Sequence, residues 1–363
     1  MSRITDVSVR MLDIPVEVPR SDAIQAFTSQ ETPFVEIRTD DGLTGRGYTY
    51  TIGTGGSAVM ALLRDVFAPQ LPGQDARRIE AIWSALHGST RATTTGALTS
   101  LALAAVDTAL WDLKAQRQNE PLWIAAGGYR RQVPMYDTES GWLHLDADDL
   151  ITGAQAMRDK GWSALKVKVG KPTMAEDLER LRAVREVVGD DVDIMIDANQ
   201  AFTGAEALRR ITAFDAAVGI AWFEEPLPAD DVLGHVELAR RTSVPIAVGE
   251  TLYSPAQFRT YLNSNAAAIV QVDVARVGGI TPWLKVAHLA EVSNVDVCPH
   301  FLMELHVSLV AAIPNGRYVE HIPQLTTLTR THVEIEGDRA SAPRTPGLGI
   351  DWDLDRVEEL TIA

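Results

Sequence analysis

From Val133 to Ile322 the chain alternates short runs rich in β-branched residues with helical segments, and this rhythm constrains the fold more than any other feature. The runs are VPMYDT (133–138), ALKVKVG (164–170), VDIMIDAN (192–199), GIAWFEEP (219–226), PIAVGE (245–250), AAIVQVDV (267–274), VDVCPH (295–300) and RYVEHI (317–322). One strand and one helix per repeat of about 25 residues make a βα unit. Eight such strands joined by crossover helices predict a closed parallel barrel, each strand buried on both faces. No helix is predicted after the eighth strand. No glycine-rich phosphate turn follows any strand, which disfavours the alternative of a doubly wound three-layer sheet. The clearest helix follows the second run: Thr173 and Glu176 form a capping box, Leu178, Leu181 and Val184 mark one face, and Gly189 ends it.

The first third reads differently. ITDVSVRML alternates with period two, and FVEIRTDDGLTGRGYTY reads as strand, turn and strand around Asp41-Gly42. GSAVMALLRDVFAPQL and DARRIEAIWSALHG carry apolar residues at helical spacing, and GALTSLALAAVDTALWDLKAQRQ is apolar on most sides, as a buried helix is. After the eighth strand, TRTHVEIEGDRASAPRTPGLGIDW reads as a hairpin and loop that returns toward the first domain. The expected division is an α+β first domain over 1–130, a barrel over 131–322 and a returning segment over 323–363. At 363 residues the chain exceeds what one simple core usually covers, which suits a barrel with an addition.

A formal net charge of −16 argues against nucleic acid and anionic membrane surfaces as partners, and requires a local cation for any anionic substrate. Cys298 is the single cysteine, so no internal disulfide can form, which fits a reducing compartment. The N-terminal stretch has no continuous apolar run, and the most apolar window, ALTSLALAAVDTALW, is broken by Thr99, Ser100, Asp107 and Thr108. Neither a signal peptide nor a membrane span is read, and a cytoplasmic location is expected.

In a parallel barrel the reactive groups gather at the C-terminal ends of the strands. Polar side chains recur there: Lys166 and Lys168, Asp197 and Asn199, Glu224 and Glu225, Glu250, Asp273, His300 and Glu320. Any one has an ordinary explanation as a cap or rim ion pair, but a barrel core does not need seven successive strands ending this way, since each unpaired buried charge is costly. Asp197, Glu224 and Glu250 end neighbouring strands, so barrel closure brings three mutually repelling carboxylates together. An all-oxygen set without clustered histidine or cysteine suits Mg²⁺ or Mn²⁺, the alternative being neutralisation by nearby lysines and arginines. Lys166 and Lys168, two apart on one strand, face the same side. Crowding and desolvation are expected to lower their pKa values and leave an amine that acts as a general base; the alternative is a pair of counter-ions. Asp273 and His300 end adjacent strands, where the carboxylate would fix the tautomer of the imidazole and supply a second acid/base group. Glu320 either donates a hydrogen bond as a protonated acid or pairs with Arg276 or Lys168.

The motifs KVKVG, DAN, WFEEP, VGE, the Asp of QVDVARVGG, the His of CPHF and the Glu of YVEH, together with the helix AAVDTALWDLKAQ, resemble in order the enolase superfamily, mandelate racemase subgroup. The resemblance spans nearly the whole chain. It implies a modified (β/α)7β TIM-type barrel, α/β in class, beneath an α+β capping domain. It implies Mg²⁺ as cofactor on Asp197, Glu224 and Glu250, with Lys168 as base on one face of the substrate α-carbon and Lys166 assisting. His300, oriented by Asp273, would act on the other face and Glu320 on the substrate carboxylate. Asn199 is placed with the substrate. The shared step is removal of a proton α to a carboxylate, giving an enediolate. PHFLMELH and YDTESGWLH look closest to the acid-sugar dehydratases of the subgroup, so the expected activity is dehydration to a 2-keto-3-deoxy acid. Racemase, epimerase or lactone cycloisomerase activity is the alternative. A glycosidase and a non-catalytic binding protein are weaker competitors. The loops 20–30 and 48–56 are expected to close over a small carboxylate substrate, with Ser21, Asp22, Tyr48 and Tyr50 as candidate hydroxyl contacts. The subgroup commonly forms dimers or octamers, so a homo-oligomer is expected.

Overall fold

The computed structural model describes residues 2–16 and 18–363. The first part opens with β1 (Ile4–Ile14), a small hairpin of β2 (Arg20–Ser21) and β3 (Ala26–Phe27), then β4 (Gln30–Thr39) and β5 (Thr44–Tyr48). β1, β4 and β5 form an antiparallel sheet in that order, with Val9 opposite Val35, and Gly42 turns the chain with φ 86°. Helices α1 (Gly56–Ala61), α2 (Ile79–Thr90), α3 (Ala97–Gln118) and α4 (Leu122–Ala125) follow. The long helix α3 is buried along most of its length, as its apolar circumference predicts. It lies directly on β5: a Cβ at Gly47 would stand 2.1 Å from the Ala105 carbonyl oxygen, so only glycine admits this approach.

Eight parallel strands then alternate with helices: β6 (Gln132–Asp137), α5 (Ala147–Asp159), β7 (Ala164–Lys168), α6 (Met174–Val188), β8 (Asp193–Asp197), α7 (Gly204–Val218), β9 (Trp222–Glu224), α8 (Val232–Arg241), β10 (Ile246–Val248), α9 (Pro255–Asn263), β11 (Ile269–Val270), α10 (Ile280–Val292), β12 (Asp296–Val297), α11 (Met303–Ala312) and β13 (Val319–His321). Consecutive strands pair in parallel from β6 to β12, and β13 returns to β6 with Glu320 opposite Tyr136. A parallel bridge between Val297 and Gly316 carries the sheet around to its start. This is the (β/α)7β barrel, with no helix directly after β13. The capping box at Thr173 and Glu176 is present at the start of α6, and Gly189 ends that helix with φ 77°.

The tail forms the hairpin β14 (Glu334–Glu336) and β15 (Arg339–Ser341), and β15 adds antiparallel to the first half of β6. It then crosses to the N-terminal sheet. Trp352 packs edge-on against Phe34 and Tyr48, α12 (Leu354–Glu359) follows, and the Met11 amide donates to the Ala363 carbonyl at 2.7 Å.

The strand ladders are shorter than the β-branched runs. Only Ile269–Val270 of 267–274 and Asp296–Val297 of 295–300 are paired as strand. Glu250, Asp273 and His300 therefore sit in the turns beyond β10, β11 and β12 rather than at the last paired residue. There the backbone leaves the ladder to enter the βα loops.

Candidate active site

Six of the eight barrel units deliver polar side chains to a shared cavity of about 250 Å³, among them Lys168, Asn199, Glu250, Arg276, His300 and Glu320. Asp197, Glu224 and Glu250 each offer a carboxylate oxygen, and the three oxygens lie within 4.8 Å of one another, all in buried residues. The local backbone is held in unusual conformations to do this. Of the seven non-glycine residues with positive φ among those described, Asn199, Gln200, Glu225 and Phe301 lie immediately beyond these strand ends. For Glu225 (φ 37°) and Phe301 (φ 62°) this is costly backbone, of the kind retained where the surrounding site demands it. Glu225 turns away from the cluster to accept from Thr251 and from Gln200 Nε2, so of the two adjacent glutamates it is Glu224 that faces inward.

Both lysines enter this carboxylate ring. Lys166 Nζ lies 3.0 Å from Glu224 Oε2, 2.9 Å from Glu320 Oε1 and 3.5 Å from Asp197 Oδ2, while Lys168 Nζ bonds Asp197 Oδ2. Among the side chains alone, the direction is the reverse of the lowered pKa values expected. Burial alone would lower each, but the carboxylates outweigh it and hold Lys166 well above, and Lys168 above, the usual lysine value. Neighbouring ammonium repulsion is the weaker force here because more acids than bases surround the pair. Glu224 shows the converse strain: burial, and then repulsion from Asp197, push its carboxyl well above the ordinary range.

On the other flank, His300 Nδ1 meets Asp273 Oδ2 at 2.9 Å. Asp273 also accepts from the Tyr50 hydroxyl at 2.7 Å and from the amides of Ala275 and Arg276 at 2.7 and 3.1 Å. Burial would raise this carboxyl, but the His300 hydrogen bond and charge dominate and bring it down to about 2. An ionised Asp273 keeps the proton on Nδ1 and turns Nε2 toward the cavity. Nε2 lies 3.3 Å from Glu250 Oε2, an approach without hydrogen-bond geometry, so that buried carboxylate oxygen has no donor. Lys168 thus stands beside Asp197 and His300 beside Glu250, at the two ends of the carboxylate row.

Glu320 departs from the expected protonated donor. Burial would raise its pKa, yet Lys166 and His300 lower it far below the usual range. It pairs with Lys166, not with Arg276 or Lys168, and also accepts from Thr138 Oγ1 at 2.6 Å and the Phe301 amide at 2.7 Å. Arg276 instead donates to the Tyr50 hydroxyl (2.9 Å), the Glu250 carbonyl (3.1 Å) and Glu250 Oε1 (3.3 Å). Asn199 lines the cavity, its Oδ1 buried without a partner. Of the four loop residues singled out for hydroxyl contacts, Asp22 and Tyr50 line the cavity, whereas Ser21 and Tyr48 do not. Tyr50 serves Asp273, a role hidden in the sequence because the partners are 223 residues apart. His306 is another: buried, with Nδ1 at 3.2 Å from the Phe301 carbonyl, its Nε2 accepts from the Val274 amide at 3.1 Å and so stays unprotonated there.

Three convergent carboxylates, with one oxygen lacking any donor and one carboxyl pushed toward protonation by burial and by its neighbours, fit a hard divalent cation better than they fit one another. The fold and these groups define a capped α/β barrel with a divalent-cation site between an amine and an imidazole. Residues 4–127 match the mandelate racemase / muconate lactonizing enzyme N-terminal domain, and residues 149–357 match the enolase C-terminal domain-like family. The chain belongs to the enolase superfamily, mandelate racemase subgroup, and is an enzyme of that Mg²⁺-dependent class. It is 35% identical over 354 residues to L-talarate/galactarate dehydratase of Salmonella typhimurium, covering 96% of this chain and 88% of that one. It is equally 35% identical to 3,6-anhydro-alpha-L-galactonate cycloisomerase of Streptomyces coelicolor, covering 96% and 97%. The L-talarate dehydratase of Polaromonas sp. JS666, solved with Mg and L-glucarate, superimposes with a TM-score of 0.95 at 38% identity over 100% of this chain and 98% of that one. No helix among the described residues is long and apolar enough to cross a membrane.

Proposed function

We propose that the protein dehydrates a sugar acid to a 2-keto-3-deoxy acid by removing the proton α to its carboxylate. The observation that carries this reading is the placement of Lys168 and of the Asp273–His300 pair at opposite ends of the carboxylate row. Asp197, Glu224 and Glu250 would hold Mg²⁺. When bound, the ion supplies positive charge for the substrate carboxylate and the developing enediolate, and offsets the carboxylates that keep Lys168 protonated.

In this reading Lys168 takes the α-proton, and the electron pair of the C–H bond moves into the carboxylate to give the enediolate. Lys166, fixed between Glu224 and Glu320, keeps a positive charge beside Lys168 and favours the neutral amine there. The enediolate electrons then form the C2=C3 double bond as the C3–O bond breaks, and His300, protonated and oriented by Asp273, delivers its proton to the departing C3 hydroxyl. Water leaves, and the enol tautomerises to the 2-keto product. Asn199 binds the substrate, and Glu320 sets the position of Lys166. The acid-sugar dehydratases among the relatives support this reading; the cycloisomerase supports a second, in which the enediolate is quenched by proton return or ring chemistry. The chain divides at about residues 130 and 322 into cap, barrel and returning tail, works in the cytoplasm, and assembles as a homo-oligomer, dimer or octamer.

The test is a panel of sugar acids with Mg²⁺, scored for 2-keto product and for exchange of the α-proton in D₂O, with and without chelator. Product formation that vanishes with chelator is expected. His300→Asn should abolish dehydration while α-proton exchange persists; full dehydration in that variant would remove His300 from the mechanism. Exchange without 2-keto product across the panel would favour the second reading.

A further inference from the structure

The basic groups of the cavity are all engaged at its reacting end. Its lining includes three basic side chains, Lys168, Arg276 and His300. Lys168 bonds Asp197, His300 meets Asp273, and Arg276 is fixed by Tyr50 and Glu250. The nearby Arg20 is turned elsewhere, bonded to Glu139 Oε1 through Nε at 3.1 Å and to the Pro323 carbonyl at 3.3 Å.

The wall contributed by the first part of the chain is the opposite in character. Its one ionisable carboxylate, Asp22, sits in the β2–β3 hairpin within electrostatic reach of both Lys168 and Glu250. Asp22 Oδ1 accepts from the Ile24 and Gln25 amides at 2.7 and 2.9 Å, which fixes the carboxylate in place. The rest of that wall is neutral or apolar, including Gln25, Thr54, Ile24 and Leu101. A substrate carboxylate has the cation site and Lys168 at the reacting end. A second carboxylate of a sugar diacid would find no unengaged cation in the lining, and along the hairpin wall it would meet Asp22.

We infer that the substrate is a monocarboxylic sugar acid whose far end is uncharged, and that Asp22 excludes diacids. This rests on the proposed sugar-acid chemistry and narrows its substrate class. Selection here comes from a repulsive group as much as from an attractive one, which is an efficient way to reject a near-isosteric competitor. An aspartate carboxylate accepts hydrogen bonds from hydroxyls and repels a carboxylate at the same place.

The experiment pairs each hexonate with the hexarate of the same configuration at C2 to C5, in the presence of Mg²⁺. Turnover is measured by 2-keto product, and binding by Mg²⁺-dependent thermal shift. The expected result is a kcat/KM at least tenfold higher for the hexonate of the preferred configuration. Asp22→Asn should narrow that ratio and Asp22→Arg should reverse it. A wild-type preference for the hexarate, or a ratio unmoved by Asp22→Arg, would overturn the inference while leaving the dehydratase reading intact. Absence of product from both members of every pair would instead overturn the dehydratase reading. The thermal shifts would then still report whether the site prefers one charge or two, and a larger shift with hexarates would overturn the inference on its own.

Discussion

The barrel mouth and the β2–β3 hairpin face one cavity but are built differently. At the mouth, Lys166, Asp197, Glu224 and Asp273 are fully buried, and each is held by two or more charged or hydrogen-bonded partners. The hairpin consists of two paired residues per strand, with Ile24 at its tip 56% exposed. Its hydrogen bonds to the barrel and tail lie near its base, from Arg20 to Glu139 and the Pro323 carbonyl and from the Leu143 amide to the Ser21 carbonyl at 3.0 Å. Chemistry needs groups fixed to a fraction of an ångström, and the eight-strand scaffold provides that. Substrate choice tolerates looser positioning, and a short surface hairpin can change its residues without disturbing the core.

The strongest way to break this division is at Lys168. Lys168→Ala should lower kcat by roughly 10³, in the range general bases contribute, with KM changed only a few-fold. The measurement is steady-state kinetics on the preferred sugar acid, with circular dichroism to confirm folding. A variant that keeps kcat and raises KM would make Lys168 a binding group, and the mouth would no longer be the chemical half of the cavity.

The mouth was also the more legible half. One polar side chain at the same place in consecutive βα units is readable from a single chain, because strand alternation and barrel closure determine where it points. The carboxylate row and the Asp273–His300 pair follow from that geometry, whereas Glu224 is singled out over Glu225 by the family resemblance and not by the strand pattern. The charge states did not follow. Lys166 and Lys168 read as a repelling pair, but their titration depends on the count of carboxylates within a few ångströms, and Glu320 adds one that the strand pattern assigned to another role. Contacts across the seam between cap and barrel were invisible for a different reason: Tyr50 with Asp273 and Arg276 joins segments far apart in the chain, and no local pattern specifies such a pair.

That seam gives the next prediction. Asp107 of the long helix α3 is buried and accepts from the Thr281 amide at 2.8 Å and the Thr281 hydroxyl at 2.7 Å, at the start of α10. Burial, only partly countered by these donors, and a smaller push from Glu80, raise its carboxyl to about 7. The folded value lies above the unfolded one, so its stabilising contribution is complete below about pH 3.8 and is lost as pH rises through about 7. Across that window the slope approaches about 1.4 kcal/mol per pH unit for this one group. Thermal unfolding of wild type and Asp107→Asn between pH 5 and 8 isolates it: the wild-type advantage should shrink as pH rises. Parallel curves would mean that Asp107 is already ionised in the folded protein across this range, and that burial at the seam does not raise its carboxyl.

The smallest effect is expected in the hairpin itself. Phe27 packs edge-on against Trp142 with ring centroids 5.4 Å apart, and lies tilted to Phe301 at 6.5 Å. Trp142 in turn lies under the Lys168 ammonium at 5.4 Å, so the aromatic group links the loose wall to the rigid one. Truncation by Phe27→Ala removes a half-buried ring worth about 1 kcal/mol in such pairs, and the hairpin loses its main apolar hold on the barrel. If the hairpin acts in binding alone, KM should rise about fivefold, the kinetic equivalent of that energy, while kcat stays within twofold. A fall in kcat of tenfold or more with KM unchanged would show that the hairpin transmits order to Lys168 through Trp142. The two walls would then be one mechanical unit, and the division between chemistry and selection would have to be redrawn at the aromatic cluster.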